Sequence, residues 1–250
     1  MYKCLQKYEL KRITYILLIM FSEILPIPTS WDYQSTKRTS ILMEDFISHI
    51  KLYIDTSSSL TIMDAGSLNG NDAEILQNAF PNSKAYAIEG LVDNYEAFIK
   101  DKKTITGINR VVASYDGEIT FHQKRVNGIH GIYDRGQEYG THTNTYKCST
   151  MKSIMTEFNI PVIDIIKIDL EGATYDALVS LESNINDIKI MHIESETYPF
   201  FKGQRLHHDV CSYLHNNNFF LVDITFVEIT KGCYQSDSVW VNKKFLKVIV

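Results

Sequence analysis

Short apolar segments alternate with amphipathic segments between residues 60 and 216, and this alternation limits the fold more than any other feature of the sequence. Each apolar segment has the length of a buried strand and is followed by apolar residues at helical spacing. Strands that alternate with helices predict a mainly parallel central sheet with helices on both faces, an α/β fold. The predicted strands are residues 60–63, 85–88, 110–113, 163–168 and 188–193.

The two ends of this region predict further elements. A helix is expected over residues 41–54, where apolar side chains recur at steps of three and four. A C-terminal antiparallel β-hairpin around Gly232 is expected to join residues 219–229 to residues 239–242. It would add an antiparallel member to the parallel sheet.

The middle of the chain has a different pattern. Asp116-Gly117 predicts a hairpin turn, followed by a strand over residues 118–123. Residues 126–145 are rich in glycine and polar side chains and predict a long loop, which in a domain of this size usually serves a function. Ser149 is in position to cap a helix that ends near Phe158.

Composition excludes several classes of protein. The chain has 250 residues, 44% hydrophobic and 22% charged, which is typical of a globular protein and not of a disordered or fibrous one. Its net charge is −5, so nucleic acid is not expected as a partner. Cys4, Cys148, Cys211 and Cys233 are far apart and predict free thiols.

Residues 1–40 are expected to lie outside the main domain, residues 41–250. An apolar run over residues 13–21 follows basic residues and precedes prolines. The run is too short to span a bilayer, but it suits a signal peptide or association of residues 1–30 with a membrane. The alternative is a helix packed on the domain. Cytoplasmic location is the preferred interpretation, with a secretory or membrane-associated one left open, as is the oligomeric state.

Residues that follow the predicted strands are candidates for a ligand site, because ligands of such sheets bind beyond the carboxyl ends of the strands. Leu68 stands where a dinucleotide-binding turn has its middle glycine, so the first turn suits a nucleoside without a pyrophosphate. A plain strand-to-helix turn is the alternative. The candidate ligand-binding residues of this turn are Asp64, Gly66, Ser67, Gly70 and Asp72.

The next two strands end in further candidates. Glu89, followed by Gly90, lies about 20 residues past Gly70, the interval at which an acid accepts hydrogen bonds from ribose hydroxyls. The alternative is a solvated acid at the start of a helix. Ala113 and Ser114 follow the third predicted strand and are expected to flank an adenine ring.

Ionisable residues end the fourth and fifth strands. Lys167, Asp169 and Glu171 alternate with apolar residues, which places them on one side of the strand. Glu194 and Glu196 repeat this pattern on the next strand, so the four carboxylates are expected to face one pocket. Crowded carboxylates raise one another's pKa or hold a cation. A structural ion pair is the alternative.

These segments resemble the FkbM-type methyltransferases, which are S-adenosylmethionine-dependent enzymes with the Rossmann-like methyltransferase fold. The resemblance rests on IMDAGSLNGNDAEILQNAFPNSKAYAIEG, VVASYDGEITF, IDIIKIDLEGATYDAL, HIESE and SYLHNNNFFLV, and the closing QSDSVWVNK is also similar. It covers residues 60–242. It implies that Asp64, Gly66, Ser67 and Gly70 hold the methionine part of S-adenosyl-L-methionine and that Glu89 holds the ribose. It also implies a hydroxyl acceptor on a sugar, glycan or other small molecule.

Two positions depart from the family pattern. Gly90 replaces the usual proline, and Thr174 replaces the second glutamate of the usual EGAE block. The missing carboxylate leaves open a non-catalytic binding or scaffold protein with the same fold. A nicotinamide-dependent oxidoreductase is a weaker alternative, because Leu68 fills the place a pyrophosphate needs.

Methyl transfer to a hydroxyl requires a group that positions the acceptor and removes its proton. The candidate catalytic residues are Lys167, Asp169, Glu171 and Glu194. Lys167 can act as base only if its pKa falls near neutrality, whereas Asp169 or Glu194 can take the proton or bind a divalent cation. The loop of residues 126–145 is expected to cover the acceptor, with Arg135 either pairing with an acidic substrate or solvated.

Overall fold

A seven-stranded sheet forms the centre of the protein. The computed structural model describes residues 40–124, 128–136 and 142–246. In its main sheet the strands are β1 Thr61–Ala65, β2 Lys84–Glu89, β3 Thr106–Asn109, β7 Ile165–Ile168, β8 Ile190–Glu196, β9 Phe219–Thr230 and β10 Cys233–Asn242. Their order across the sheet is β3-β2-β1-β7-β8-β10-β9. The first five in this order run parallel, and β10 lies antiparallel between β8 and β9. The predicted Rossmann-like architecture with a C-terminal antiparallel hairpin is confirmed.

A second, three-stranded sheet, here called the small sheet, lies beside the first. It shows that three predictions are wrong. It consists of β4 Val111–Val112, β5 Gly117–Gln123 and β6 His142–Ser149, in the order β4-β6-β5. The predicted third strand was placed too late, because β3 ends at Asn109 and the next residues leave the main sheet. The hairpin predicted at Asp116-Gly117 is wrong, since β5 pairs with β6. The predicted loop therefore contains a strand in its last residues.

Helices cover the main sheet on both faces. They are α1 Met43–Tyr53, α2 Asn71–Ala79, α3 Val92–Asn94 with the π-helical turn Tyr95–Ile99, α4 Met151–Glu157, α5 Thr174–Ser180 and α6 His207–Asn216, with short 3-10 segments at Glu182–Asp187 and Lys243–Phe245. Thr150, and not Ser149, caps α4, because its hydroxyl accepts the N–H of Ser153. None of the helices within the described residues is both long and apolar enough to cross a bilayer.

Alternation along each strand decides which side chains enter the core. Met63, Ile166 and Met191 point to one face of the sheet and pack with apolar residues of α4, α5 and α6. Their neighbours in sequence point to the other face, where α1 and α2 lie. On that face Asp64, Lys167 and His192 occupy one row across the sheet, since Asp64 pairs with Lys167 and Lys167 with His192. This polar row extends toward the carboxyl ends of the strands.

The predicted N-terminal segment, residues 1–40, lies outside the described residues except for Ser40. The apolar run over residues 13–21 therefore stays a prediction. Cys148 is buried, while Cys211 and Cys233 are partly exposed, and all three are free thiols. For these three cysteines the prediction is confirmed.

Candidate active site

The turn after β1 is built around Gly66. Its backbone has φ +86°, and a Cβ there would lie 1.7 Å from the carbonyl oxygen of Asp169. Only glycine fits such a conformation at such a distance. The N–H groups of Gly66 and Ser67 both donate to the carbonyl oxygen of Ile88 at 3.0 Å. The turn is therefore fixed against the end of β2 and the end of β7.

Glu89 connects this turn to the loop after β2. Its two carboxylate oxygens accept the N–H of Leu68 and the N–H of Leu91, each at 2.8 Å. Burial raises the pKa of Glu89 to about 7, although these two bonds and a bond from the Asn94 side chain lower it. A carboxylate has about four acceptor positions, so after these three bonds about one is left for a ligand.

Asp64 and Ser67 form a buried pair below the turn. The Ser67 hydroxyl donates to Oδ2 of Asp64 at 2.5 Å. Oδ1 of Asp64 is buried without a hydrogen bond from the described residues, and its closest cation is Lys167 Nζ at 3.9 Å. Burial raises the pKa of Asp64 to about 6, while Lys167 lowers it.

A cleft opens at the carboxyl ends of β1, β2 and β7 and reaches the small sheet. Of the predicted ligand-binding residues, Gly66, Glu89 and Gly90 line it, together with Asp169 and Glu171 from the predicted catalytic set. Its remaining lining residues are Leu68, Ile88, Asn94, Arg110, Val111, Val112, Phe121, Gly128, His130, Gly131, Ile132, Leu170 and Ala173.

Several predicted residues lie outside this lining, among them Lys167 and Glu194 of the predicted catalytic set. Asp64, Ser67, Gly70 and Asp72 support the turn from below or begin α2. Ala113 is buried beside Phe121, and Ser114 is exposed. Sequence reasoning missed Arg110, Val111 and Phe121, because it placed the third strand too late and assigned β5 to a hairpin. The apolar alternation in residues 117–123 was the signal available for Phe121.

Lys167 is surrounded by acids. Its Nζ lies 3.1 Å from Asp169, 3.4 Å from Asp72 and 3.9 Å from Asp64. Burial lowers the pKa of Lys167, but the three carboxylates outweigh it and hold that pKa well above the usual value. Lys167 is therefore a fixed cation at neutral pH. This result disfavours its sequence-based role as a base.

The structure brings three predicted carboxylates together. Asp169, Glu171 and Glu194 each place an oxygen so that all three lie within 4.8 Å of one another. Burial, with Asp169 adding to it, raises the pKa of Glu171 to about 8. Burial also raises the pKa of Glu194 well above its usual range, and Asp169 and Glu171 raise it further. The arrangement can exchange a proton near neutral pH, and its oxygens also suit a divalent cation.

The surroundings of Glu194 hold the backbone of β8 in place. The hydroxyl of Thr174, the residue that departs from the family pattern, donates to the carbonyl oxygen of Glu194 at 2.7 Å. Glu196 accepts a hydrogen bond from Gln204 at 2.7 Å, and burial raises its pKa to about 7. Oε1 of Glu194 is buried and has no hydrogen-bond partner within the described ranges.

Residues 128–136, here called the cover segment, pack over the carboxylates. Arg135 donates to Glu171 at 3.2 Å, and its guanidinium lies 5.0 Å from the centre of the Phe201 ring. The Tyr133 hydroxyl donates to Asp176 at 2.9 Å. The Arg135 side chain is only 10% exposed, so the expectation of a solvated arginine is wrong.

Three histidines in or next to the predicted loop differ in their positions. His130 lines the cleft, and its Nδ1 accepts the N–H of Lys124 at 2.9 Å. His142 is exposed on β6, and His122 lies 3.9 Å from Asp134. Burial lowers the pKa of His130. His130 is thus the histidine of this group that reaches the site.

The sequence of this region matches a known family. Residues 71–221, more than half of the chain, match the model of the methyltransferase FkbM domain. The chain belongs to the FkbM methyltransferase family. The match includes Glu89, Lys167 and Glu194, while the turn from Asp64 to Gly70 immediately precedes it. Family and topology identify the protein as an S-adenosylmethionine-dependent methyltransferase.

Solved methyltransferases share distant structural similarity with this FkbM methyltransferase. Precorrin-6y C5,15-methyltransferase from Geobacter metallireducens is 12% identical, with 85% of this chain and 95% of that chain covered at a TM-score of 0.47. Magnesium protoporphyrin IX methyltransferase from Synechocystis, solved with bound S-adenosylmethionine, is 12% identical, with coverage of 80% and 78% and a TM-score of 0.44. TrmK from M. capricolum is 14% identical, with coverage of 82% and 71% and a TM-score of 0.43. No curated protein shows significant similarity to the chain.

Proposed function

We propose that this FkbM methyltransferase transfers the methyl group of S-adenosyl-L-methionine to a hydroxyl oxygen of a neutral, polyhydroxylated small molecule or glycan. The observation that carries the proposal is the position of Glu194 Oε1. This oxygen is buried, has no hydrogen-bond partner among the described residues and belongs to the group formed with Asp169 and Glu171. A buried carboxylate with a raised pKa is suited to take a proton at neutral pH.

The cleft fits the cofactor in three respects. Gly66 lines the cleft without a side chain, and the remaining acceptor position of Glu89 suits a ribose hydroxyl. Val111 and Phe121 offer an apolar wall to an aromatic base. When bound, the cofactor supplies a methyl group already activated on a positively charged sulfur.

The acceptor must then lose a proton. In this proposal the ionised form of Glu194 accepts it, and burial, with Asp169 and Glu171 adding to it, raises the pKa of Glu194 and makes it a stronger base than a free carboxylate. Lys167 balances part of the negative charge and fixes Asp169 at 3.1 Å. Thr174 holds the backbone of Glu194, so the change from the family's glutamate leaves the reacting carboxylate in position.

The electrostatics of the site favour an uncharged acceptor. Burial and neighbouring acids raise the pKa values of Glu171, Glu194 and Glu196, so this group already disfavours negative charge and would also disfavour a phosphate or carboxylate. Arg135, which would attract an anion, lies against Glu171. Carboxylates and protonated carboxyl groups together accept and donate hydrogen bonds, which suits the hydroxyl groups of a sugar.

Calorimetry and a transfer assay test the proposal together. S-Adenosyl-L-methionine and its demethylated product are titrated into the wild type, Glu89→Gln and Glu194→Gln. Transfer of a labelled methyl group is then measured on neutral sugars, sugar phosphates, uronic acids and amines. We expect micromolar binding, about −8 kcal/mol, that weakens in Glu89→Gln and persists in Glu194→Gln. Transfer to neutral sugars should fall about a hundredfold in Glu194→Gln, in the range for loss of a general base.

Glu182→Gln is the matched control for Glu194→Gln, because Glu182 is an exposed acid paired with Lys152 on the surface. Activity that survives chelation supports proton removal by the carboxylates alone, whereas activity restored only by Mg²⁺ or Mn²⁺ supports a bound cation. Cofactor binding without transfer to any acceptor class would favour the non-catalytic binding protein. Absence of cofactor binding would overturn the proposal.

A further inference from the structure

Arg110 stands where the chain leaves the main sheet for the small one. It lies between β3 and β4, and its N–H donates to the carbonyl oxygen of Glu89 at 3.1 Å. It lines the cleft together with Glu89 and Val111. The residue is 8% exposed. A charged residue thus lines the cleft next to Glu89, the acid proposed to bind the ribose.

The guanidinium of Arg110 is only partly satisfied. Its Nη2 donates to Glu157 of α4 at 2.7 Å. Nε and Nη1 are buried and have no hydrogen-bond partner within the parts of the chain that the structure describes. An arginine cannot relieve this cost by losing a proton, because the guanidinium group stays charged in proteins. Buried polar groups are nearly always hydrogen-bonded, so two free donors beside a cleft indicate a ligand with acceptor atoms.

The position of Arg110 limits which part of the cofactor can supply these acceptors. Glu89 suits the ribose, and the cleft continues from Glu89 toward Val111 and Phe121, whose side chains pack together. A base next to the ribose would therefore lie beside Arg110. The adenine ring carries acceptor nitrogens N1, N3 and N7 at its edge.

We propose that Arg110 recognises the adenine base of the cofactor by donating from Nε or Nη1 to a ring nitrogen. This inference rests on the proposed cofactor site and adds a specificity-determining residue to it. Glu157 orients the guanidinium from the other side through Nη2. The arrangement selects a base with an acceptor nitrogen at that edge and leaves methyl transfer itself to the carboxylates.

Ring-nitrogen analogues of the cofactor product test this role. S-Adenosylhomocysteine and its 1-deaza, 3-deaza and 7-deaza analogues, each with one acceptor nitrogen replaced by C–H, are titrated into the wild type and Arg110→Met. We expect one analogue to bind the wild type at least tenfold more weakly than S-adenosylhomocysteine, as loss of a hydrogen bond to a charged donor implies. In Arg110→Met the same analogue and S-adenosylhomocysteine should bind equally.

Glu157→Gln is the matched control, because it changes the other partner of Arg110 and lies outside the cleft lining. It should keep the discrimination among the analogues, whereas a purely structural Arg110 would make Glu157→Gln and Arg110→Met behave alike. If Arg110→Met does not fold, the wild-type series still decides: equal affinity for all three analogues overturns the inference. If the wild type does not bind S-adenosylhomocysteine at all, the proposed function fails instead.

Discussion

A Cβ atom on Gly66 would lie 1.7 Å from the carbonyl oxygen of Asp169, so the turn after β1 and the end of β7 meet at a distance only glycine permits. This approach brings the turn after β1 and the carboxylate-bearing loop after β7 to one cleft. The two segments are far apart in sequence. The close backbone approach is therefore the feature that joins the two halves of the site.

Gly66→Ala should be strongly destabilised because the added methyl group clashes with backbone that has no room to move. We expect the free energy of unfolding in urea to fall by about 3 kcal/mol. Gly232→Ala is the control, since Gly232 also has positive φ (+75°) but a methyl group placed on it would have no atom within 4 Å. It should lose only about 1 kcal/mol through backbone strain. Equal losses in the two variants would contradict the clash.

Affinity for S-adenosyl-L-methionine should rise with pH below about pH 7, because burial raises the pKa of Glu89 to about 7 and the ionised form is the better acceptor for a ribose hydroxyl. Below that value the dissociation constant should increase about tenfold per pH unit. Calorimetry from pH 5 to 8 measures the dissociation constant of the wild type and of Glu89→Gln. The pH dependence that remains in Glu89→Gln is the part caused by titration of the cofactor itself. A slope in Glu89→Gln equal to that of the wild type would show that another group is responsible.

The free energy of unfolding should fall as pH rises from about 6.5 to 8. The pKa values of Glu89 and Glu196 are raised to about 7 and that of Glu171 to about 8, so the folded state holds protons that the unfolded chain has already released. Stability therefore decreases with pH across this window. Below this window, His192 and His207 have the opposite effect on stability, because burial lowers their pKa values to about 3 and about 4. The unfolded chain then binds the protons, so these two residues make stability increase with pH. Urea denaturation at four pH values measures the slope, and stability that increases above pH 6.5 would contradict the raised values.

Removing Lys167 should leave its carboxylate neighbours without their shared cation. Lys167→Met is expected to lose about 3 kcal/mol of unfolding free energy, as for other broken buried ion pairs. Lys152→Met is the control, since the Lys152–Glu182 pair is more than half exposed and should contribute little. Chemical denaturation at pH 7 compares the two variants. A similar small loss in both would mean that the neighbouring carboxylates do not depend on Lys167 for stability.

Arg135→Met should affect the acceptor and not the cofactor. Arg135 lowers the pKa of Glu171 and holds the cover segment against the carboxylates. Its loss is expected to reduce kcat/KM for the acceptor about tenfold while the KM for S-adenosyl-L-methionine stays unchanged, because the remaining contacts of the cover segment persist. Arg205→Met is the control, since the Arg205 side chain is 62% exposed. An equal change in the KM for both substrates would show that Arg135 supports the structure of the whole cleft and not the acceptor site alone.

The sequence predicted the elements whose pattern is local. The apolar segments of β1, β2, β7 and β8 are continuous and end in polar residues, so both their type and their order could be read directly. Glycine in the first turn and the acid at Glu89 pointed to the same edge of the sheet. Of the small sheet, the sequence predicted the strand β5 but not its pairing, because β6 (His142–Ser149) has mostly exposed, polar side chains and its strand character comes from pairing with β5.

In the candidate site, some residues were predictable from local sequence patterns and others were not. The grouping of Asp169, Glu171 and Glu194 follows from alternation on neighbouring parallel strands, and the structure brings these three together. The wall formed by Val111 and Phe121 and the buried donors of Arg110 depend on how the small sheet meets the main one. That meeting joins segments that have no shared pattern in the sequence.

The sequence by itself determined the family, the order of strands and helices, and the edge of the sheet that carries the chemistry, because periodicity and turn residues act over a few neighbouring positions. Only the tertiary structure decided that Lys167 is a fixed cation, that Arg135 pairs with Glu171 and that Glu194 presents a buried oxygen. Those properties depend on burial and on charges from distant segments. Local sequence does not specify either of them, since the dielectric surroundings of a side chain exist only once the chain has folded.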